Sequence, residues 1–254
     1  MAKNKLIIGL IKPVSRSLRF LTAQPIAHRG LHNDKVPENS LAAFRAAIKK
    51  GYAIELDVHA TADGGVVVFH DDDLRRMTNK RTKVKKTETA KLTATTLRDT
   101  KEKIPTFEEV LKLVDGKVPL LVELKSDGAF DDNFLFVTAN LLKNYEGKFA
   151  IQSFDPRIVA YFCKHYPKML RGQLVSDFKR DKSLGWLKRL IISHMWYNKI
   201  SQPDFVSYDV RALPCRRATK IRQQVPVLGW TIRSEAEFER VKKLCDGFIC
   251  EDIL

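Results

Sequence analysis

The stretch Ala53-Ile54-Glu55-Leu56-Asp57-Val58-His59-Ala60-Thr61-Ala62-Asp63-Gly64-Gly65-Val66-Val67-Val68-Phe69-His70-Asp71 decides how this chain is read. Side chains alternate faces along a strand, so over Ile54 to Val58 the carboxylates Glu55 and Asp57 share one face while Ile54, Leu56 and Val58 share the other. Two carboxylates on one face call for a cation. Asp63-Gly64-Gly65 supplies turn residues, and Val66 to Phe69 runs back as a second strand that delivers His70 and Asp71. The hairpin carries a histidine towards the carboxylates.

Working outward, strand-like runs occur at Ile26 to His28, Ala53 to His59, Val66 to His70, Pro119 to Lys125, Phe149 to Phe154, Leu170 to Val175, Asp204 to Asp209, Val225 to Ile232 and Gly247 to Cys250. Helical patterns fill most of the gaps. Leu41, Phe44, Ala47 and Ile48 recur at helical spacing after an Asn39 or Ser40 cap and stop at Gly51. Phe107, Val110, Leu111 and Val114 do the same between Pro105-Thr106 and Gly116. Further helices are expected over Phe134 to Tyr145, Pro156 to Tyr166, Pro214 to Gln223 and Ser234 to Leu244. Such alternation predicts an α/β fold with a parallel sheet.

The Val66 run follows its predecessor across a tight turn, and parallel neighbours need a crossover of a dozen or more residues. It is therefore an antiparallel hairpin arm. Eight parallel strands remain, the number that closes a (β/α)8 TIM barrel. His28, Glu55, Asp57, Glu123, Lys125, Gln152, Asp209 and Trp230 then fall at the C-terminal ends of their strands, where such barrels keep their sites. No G-x-G-x-x-G or Walker motif supports an open nucleotide-binding sheet. The chain runs out after the last strand at Leu254, so no eighth helix is expected, and residues 1 to 20 are expected to cover that side. Two long connections escape the alternation: residues 72 to 105, with a helix expected through Ala90 to Thr100, and residues 176 to 203, which contain the basic-aromatic stretch Leu184 to Tyr197.

Forty-five Lys and Arg against 30 Asp and Glu give a net charge of +15 over 254 residues, which favours anionic partners or a solvated basic face. No nucleic-acid-binding motif accompanies it. Cys163, Cys215, Cys245 and Cys250 form no C-x-x-C pair, which fits a reducing, cytoplasmic setting without zinc fingers or a disulfide framework. Residues 1 to 24 read as a basic amphipathic segment preceding a barrel domain over 25 to 254; it either packs on the domain or makes peripheral contact with an anionic membrane. Its apolar run, Leu6 to Ile11, is too short to span a bilayer.

His28-Arg29-Gly30, Pro37-Glu38-Asn39-Ser40, Glu55-Leu56-Asp57-Val58, Thr61-Ala62-Asp63-Gly64, Val68-Phe69-His70-Asp71, Leu74-Arg75-Arg76-Met77-Thr78, Ile104-Pro105-Thr106, Val122-Glu123-Leu124-Lys125 and Trp230-Thr231-Ile232 occur in this order. Together they resemble the glycerophosphodiester phosphodiesterase family, from residue 25 to residue 252. The resemblance implies a metal-dependent barrel that hydrolyses glycerophosphodiesters to glycerol 3-phosphate and an alcohol. The closing strand reads Asp246-Gly247-Phe248-Ile249-Cys250-Glu251-Asp252 where the family usually has Asp-Gly-x-x-Thr-Asp.

The residues carry that chemistry on their own terms. Glu55, Asp57 and Glu123 offer three oxygen ligands from neighbouring strands to a hard cation, Mg²⁺ or Ca²⁺. Without a cation they would repel one another; barrel-mouth ion pairs with Arg29 and Lys125 are the plainer alternative. His28 and His70, from different strands, are expected to exchange protons with the leaving alcohol and the nucleophile. Arg29 is expected to clamp phosphate oxygens and Lys125 to add positive charge. Gly30 permits close backbone approach. Glu38 either contacts the metal or its waters or caps the following helix, and Phe154 and Trp230 either pack on glycerol carbons or belong to the core. His59 shares the parity of Glu55 and Asp57 without a family counterpart, and His165 and His194 read as helix or loop histidines. Two other functions fit parts of the sequence: a lysophospholipase D acting on membrane lipids, supported by the basic N-terminus and Trp186 to Tyr197, and an inactive lipid-binding barrel.

Overall fold

The computed structural model describes residues 18–176 and 198–253. Within them the strands are β1 (Ile26–Ala27), β2 (Ala53–Ala60), β3 (Val66–Val68), β4 (Leu120–Leu124), β5 (Phe149–Ser153), β6 (Arg171–Val175), β7 (Phe205–Asp209), β8 (Val227–Ile232) and β9 (Gly247–Cys250). Eight of them pair in parallel, and β1 closes the ring by pairing with both β9 and β2. The fold is the (β/α)8 barrel. β3 alone is antiparallel, its Val68 opposite Val58.

The place of β3 follows from the shortness of β1. β2 uses one edge over Ile54 to Val58 to pair with β4, while β1 covers the other edge only at Ala53 and Ile54. The free remainder of that edge is taken by β3, and the Phe69 N–H donates to the Asp57 carbonyl at 3.0 Å. The hairpin thus ends beside the strand that carries Glu55 and Asp57.

Inside the barrel the two-residue period converts an apolar floor into a polar mouth. Ile26, Ala53, Leu121, Ala150, Phe205, Leu228 and Ile249 form one buried cluster. Two positions further along the same faces stand His28, Glu55, Glu123, Gln152, Ser207, Trp230 and Glu251. The outward face of β2, Ile54, Leu56 and Val58, packs in a separate cluster with Phe44 of α2 (Leu41–Lys50) and Phe107, Val110 and Val114 of α4 (Phe107–Val114). α4 starts on a complete capping box, Thr106 with Glu109.

The short helix α1 (Arg19–Thr22) sends Leu18 and Leu21 into the floor cluster. The described end of the N-terminal segment is therefore a plug under the barrel. Residues 1–17 and the Leu184 to Tyr197 stretch with His194 lie outside the described residues. Among the described residues no helix is long and apolar enough to cross a membrane.

The helix expected over Ala90 to Thr100 is shorter: α3 covers Thr89–Thr93. Thr93, Thr95 and Thr96 are β-branched and weak helix formers. The Leu97 and Ile104 N–H groups instead donate to the Glu102 and Thr95 carbonyls. The whole 72–105 connection is tied down by its own apolar cluster, in which Leu74, Met77, Val84, Leu92, Leu97 and Ile104 pack on Val67 and Phe69. It buttresses the hairpin that presents His70. Among the described residues the remaining helices are α5 (Asp132–Lys143), α6 (Pro156–His165), α7 (Asn198–Ser201), α8 (Arg216–Arg222) and α9 (Glu235–Val241).

Candidate active site

Glu55, Asp57 and Glu123 meet at the mouth, with one carboxylate oxygen of each within 4.8 Å of the others. Adjacent strands bring this about: Asp57 and Glu123 are direct partners across β2 and β4, and Glu55 lies two residues earlier on the same face. All three are buried. Burial and the neighbouring charges of Asp57 and Glu123 hold the Glu55 carboxyl well above its usual range. Glu123 is also raised, chiefly by burial. Burial acts on Asp57 too, but Lys125, His70 and Arg29 outweigh it and hold that carboxyl below its usual range.

Two cations hold the trio in place. Lys125 Nζ lies 2.8 Å from Asp57 Oδ1 and 2.6 Å from Glu123 Oε1. The Arg29 main-chain N–H donates to Glu55 Oε2 at 3.0 Å, and its guanidinium Nε lies 3.4 Å from Asp57 Oδ2. The ion pairs expected as the plainer alternative are thus present. Two positive charges still leave three clustered carboxylates short by one. Oxygen donors alone suit a hard divalent cation, so the donor set fits Mg²⁺ or Ca²⁺.

The turn after β1 is built for this contact. Arg29 (φ 56°) and Gly30 (φ 80°) both take the left-handed conformation, and a Cβ on Gly30 would lie 2.9 Å from Ala43 Cβ. Asn39 is also left-handed (φ 54°) and donates its side-chain amide to Asp57 Oδ2 at 2.8 Å. The cap of α2 is Ser40, whose hydroxyl accepts from the Ala43 N–H. Glu38 does not cap the helix, which corrects that alternative: its carboxylate is held by Arg29 Nη1 at 2.7 Å and by both Nη atoms of Arg76 at 2.7 and 2.6 Å. Against the opposing push of burial, the two arginines bring its pKa down to about 2.

Each histidine rests on a carboxylate. His28 Nδ1 lies 2.8 Å from Glu251 Oε2, and His70 Nδ1 lies 2.6 Å from Asp71 Oδ1. The His28 hydrogen bond brings Glu251 down to about 2, and against burial His70 and Arg76 hold Asp71 low as well. Both carboxylates are ionised at neutral pH and can only accept. The proton in each pair therefore sits on Nδ1, leaving Nε2 as the nitrogen with a free lone pair. Burial lowers the pKa of His28. Asp71 is anchored in turn by Arg76, Nε to Oδ2 at 2.7 Å. His70, Asp71, Arg76, Glu38, Arg29 and Asp57 thus form one chain of alternating charges around the mouth.

Glu251, Asp71 and Arg76 carry no site role in the sequence reading, and Asn39 entered it only as a candidate helix cap, a place that Ser40 takes. Parity would have found Glu251, two residues beyond the floor residue Ile249 on the same face; Arg76 and Asn39 required the fold. His59 is buried, with Nε2 3.1 Å from the His70 carbonyl, so it ties the hairpin tip to β2 rather than joining the carboxylates. Phe154 and Trp230 are half-buried at the mouth, edge to face at 5.5 Å, and the Trp230 indole N–H donates to the Ser207 carbonyl. Gln152 accepts from Ser207 Oγ at 2.7 Å, and Asp209 pairs with Arg211, so neither joins the carboxylate trio. His165 stacks on Tyr161 at 4.6 Å on α6.

The sequence model described as the glycerophosphoryl diester phosphodiesterase family matches residues 28–253. The chain belongs to this family. A glycerophosphodiester phosphodiesterase from Caldanaerobacter subterraneus is 30% identical over 238 residues, covering 89% of this chain and 93% of that protein. Among solved structures, an Oleispira antarctica phosphodiesterase in complex with the product sn-glycerol-3-phosphate superposes with a TM-score of 0.75 at 24% identity, covering 89% and 92% of the two chains. A glycerophosphodiester phosphodiesterase from Thermotoga maritima gives 0.69 at 23% identity, covering 89% and 93%. These two likenesses speak to the fold, and membership of the family makes the chain a phosphodiesterase.

Proposed function

We propose that the chain hydrolyses small glycerophosphodiesters to glycerol 3-phosphate and an alcohol, with a divalent cation held by Glu55, Asp57 and Glu123 and proton transfer by His28 and His70. One observation carries the reading: a trio of buried carboxylates flanked by two histidines, each with Nδ1 committed to its own carboxylate and Nε2 left free. The name of the Caldanaerobacter relative and the product in the Oleispira structure agree with it.

A bound divalent cation would polarise a phosphoryl oxygen and lower the pKa of the attacking hydroxyl. One histidine Nε2 takes the proton of that hydroxyl, from water or from the neighbouring glycerol hydroxyl, as the new P–O bond forms. The other histidine, protonated, gives its proton to the oxygen of the leaving alcohol as the old P–O bond breaks. Arg29 and Lys125 oppose the negative charge that gathers on the phosphoryl oxygens, and Glu38 holds the Arg29 guanidinium by its free edge. Phe154 and Trp230 offer apolar surface to the glycerol carbons.

Calorimetric titration of chelator-treated protein with Mg²⁺ and Ca²⁺, set beside hydrolysis of glycerophosphocholine, tests the proposal. Binding of one equivalent that restores activity, with both effects lost in Glu123→Gln, is expected. Full activity in excess EDTA would exclude the metal-assisted route.

A further inference from the structure

Among the described residues one other group of His and acidic side chains brings three ligand atoms together: His28, His32 and Glu251, again within 4.8 Å of one another. The left-handed pair Arg29 and Gly30 turns the chain after β1, and the His32 N–H returns to the Gly30 carbonyl at 3.1 Å. That turn sets His32 against the carboxylate that already holds His28. The two imidazoles address different oxygens: His28 Nδ1 lies 2.8 Å from Oε2, and His32 Nε2 lies 3.8 Å from Oε1. The second distance is too long for a hydrogen bond. His32 Nε2 is buried and has no hydrogen-bond partner among the described residues. Leaving such a buried nitrogen unsatisfied is unfavourable.

A metal ion resolves that geometry. Nitrogen and carboxylate ligands stand about 2.0–2.2 Å from zinc, so tetrahedral neighbours are roughly 3.4 Å apart, a spacing that shifts of about an ångström reach from the distances present. Two imidazoles and one carboxylate with an open position form a donor set suited to zinc-class cations, whereas three carboxylates suit Mg²⁺ or Ca²⁺. Donor type would thus sort two classes of cation between two neighbouring sites. The competing charge is Arg233, whose Nη2 lies 3.1 Å from Glu251 Oε2; its side chain is half exposed and can swing to solvent.

We propose that His28, His32 and Glu251 form a second metal site, selective for zinc-class divalent cations, whose occupation engages His28 Nδ1 and inhibits hydrolysis. Binding takes the Nδ1 lone pair and shifts the single ring proton to Nε2, which then has no lone pair to accept a proton, and the ring can no longer take up a second proton to give away. Inhibition rests on the catalytic reading of His28 given above; binding does not.

The test uses the full chain held in excess Mg²⁺ and titrated with Co²⁺ as a spectroscopic stand-in, followed by Zn²⁺ in the hydrolysis assay. The expected result is one equivalent of Co²⁺ with a visible absorption band, displaced by Zn²⁺, and loss of activity as Zn²⁺ binds. In His32→Ala the Co²⁺ affinity and the inhibition by Zn²⁺ should each weaken at least about tenfold while hydrolysis in Mg²⁺ alone is unchanged. Arg233→Ala, which removes the competing cation, should bind Co²⁺ more tightly. Equal Co²⁺ uptake and equal Zn²⁺ inhibition in wild type and His32→Ala would place the ion elsewhere and overturn the site. Co²⁺ uptake that depends on His32 but leaves hydrolysis untouched would uphold the site and overturn its inhibitory role, together with the catalytic reading of His28.

Discussion

His28 at the end of β1 and Glu251 just beyond β9 face each other across the closing seam of the barrel, Nδ1 to Oε2 at 2.8 Å. The pair that fixes a proposed proton carrier is made by the first and last strands, so barrel closure and the tautomer of His28 are one event.

The charge of Glu251 raises the pKa of His28 against the larger, lowering effect of burial. Glu251→Gln keeps a hydrogen-bond acceptor but removes that charge. The His28 pKa should fall further, so the limb of the kcat/KM profile set by His28, the acid limb if it is the base and the alkaline limb if it is the acid, should move to lower pH, with kcat down about tenfold; Glu251→Ala, which also frees the ring, should lose about 10²-fold. An upward move of the limb in Glu251→Gln would contradict the pairing.

Glu38 answers a different pH range. Its folded pKa, about 2, lies below the ordinary carboxylate value near 4.5, so its pairing with Arg76 and Arg29 stabilises the fold fully above pH 4.5. That contribution, at most about 3 kcal/mol, drains away as pH falls from 4.5 towards 2. Urea unfolding of wild type and Glu38→Gln at pH 7, 4 and 3 should show the gap between them narrowing with acid. A gap independent of pH would mean that Glu38 is not held as an ionised partner.

The carboxylate trio opposes folding when no cation is bound, because burial and mutual repulsion raise Glu55 well above its usual range. Glu55→Gln should therefore melt at the same or a higher temperature than wild type in EDTA. Added Mg²⁺ should stabilise wild type by about 2.7 kcal/mol at 100 times its Kd and leave the variant nearly unmoved. Thermal melts of both proteins with and without Mg²⁺ decide this, and equal Mg²⁺ shifts would remove Glu55 from the metal site.

The barrel floor should behave independently of the mouth. Leu21 is fully buried in the floor cluster, so Leu21→Ala should cost about 2–5 kcal/mol in urea unfolding while kcat/KM at 25 °C stays within twofold. A large loss of activity in the folded variant would show that the plug positions the site.

The sequence was most legible where one strand's alternation carried the message. Glu55 and Asp57 on one face of β2, Glu123 on β4 and His70 at the hairpin tip follow from period two and a tight turn. Counting the hairpin arm out of nine strand runs left the barrel. What escaped depends on contacts between segments distant in the chain: Glu251 reaches His28 from 223 residues away, and Arg76 reaches Glu38 from 38. Asn39 escaped because its left-handed backbone, invisible in the sequence, turns its amide onto Asp57. The α3 region misled because an apolar period runs through Ala90 to Thr100 while its threonines favour extended backbone.

The most direct measurement is release of glycerol 3-phosphate and alcohol from glycerophosphocholine and glycerophosphoethanolamine, in Mg²⁺, Ca²⁺ or EDTA, by wild type and by His70→Ala. Metal-dependent release by wild type, reduced at least about 10²-fold in His70→Ala at unchanged thermal stability, is the expected result. Release that survives in His70→Ala, or no release of either product under any metal, would contradict a diesterase site built from His70 and the carboxylate trio.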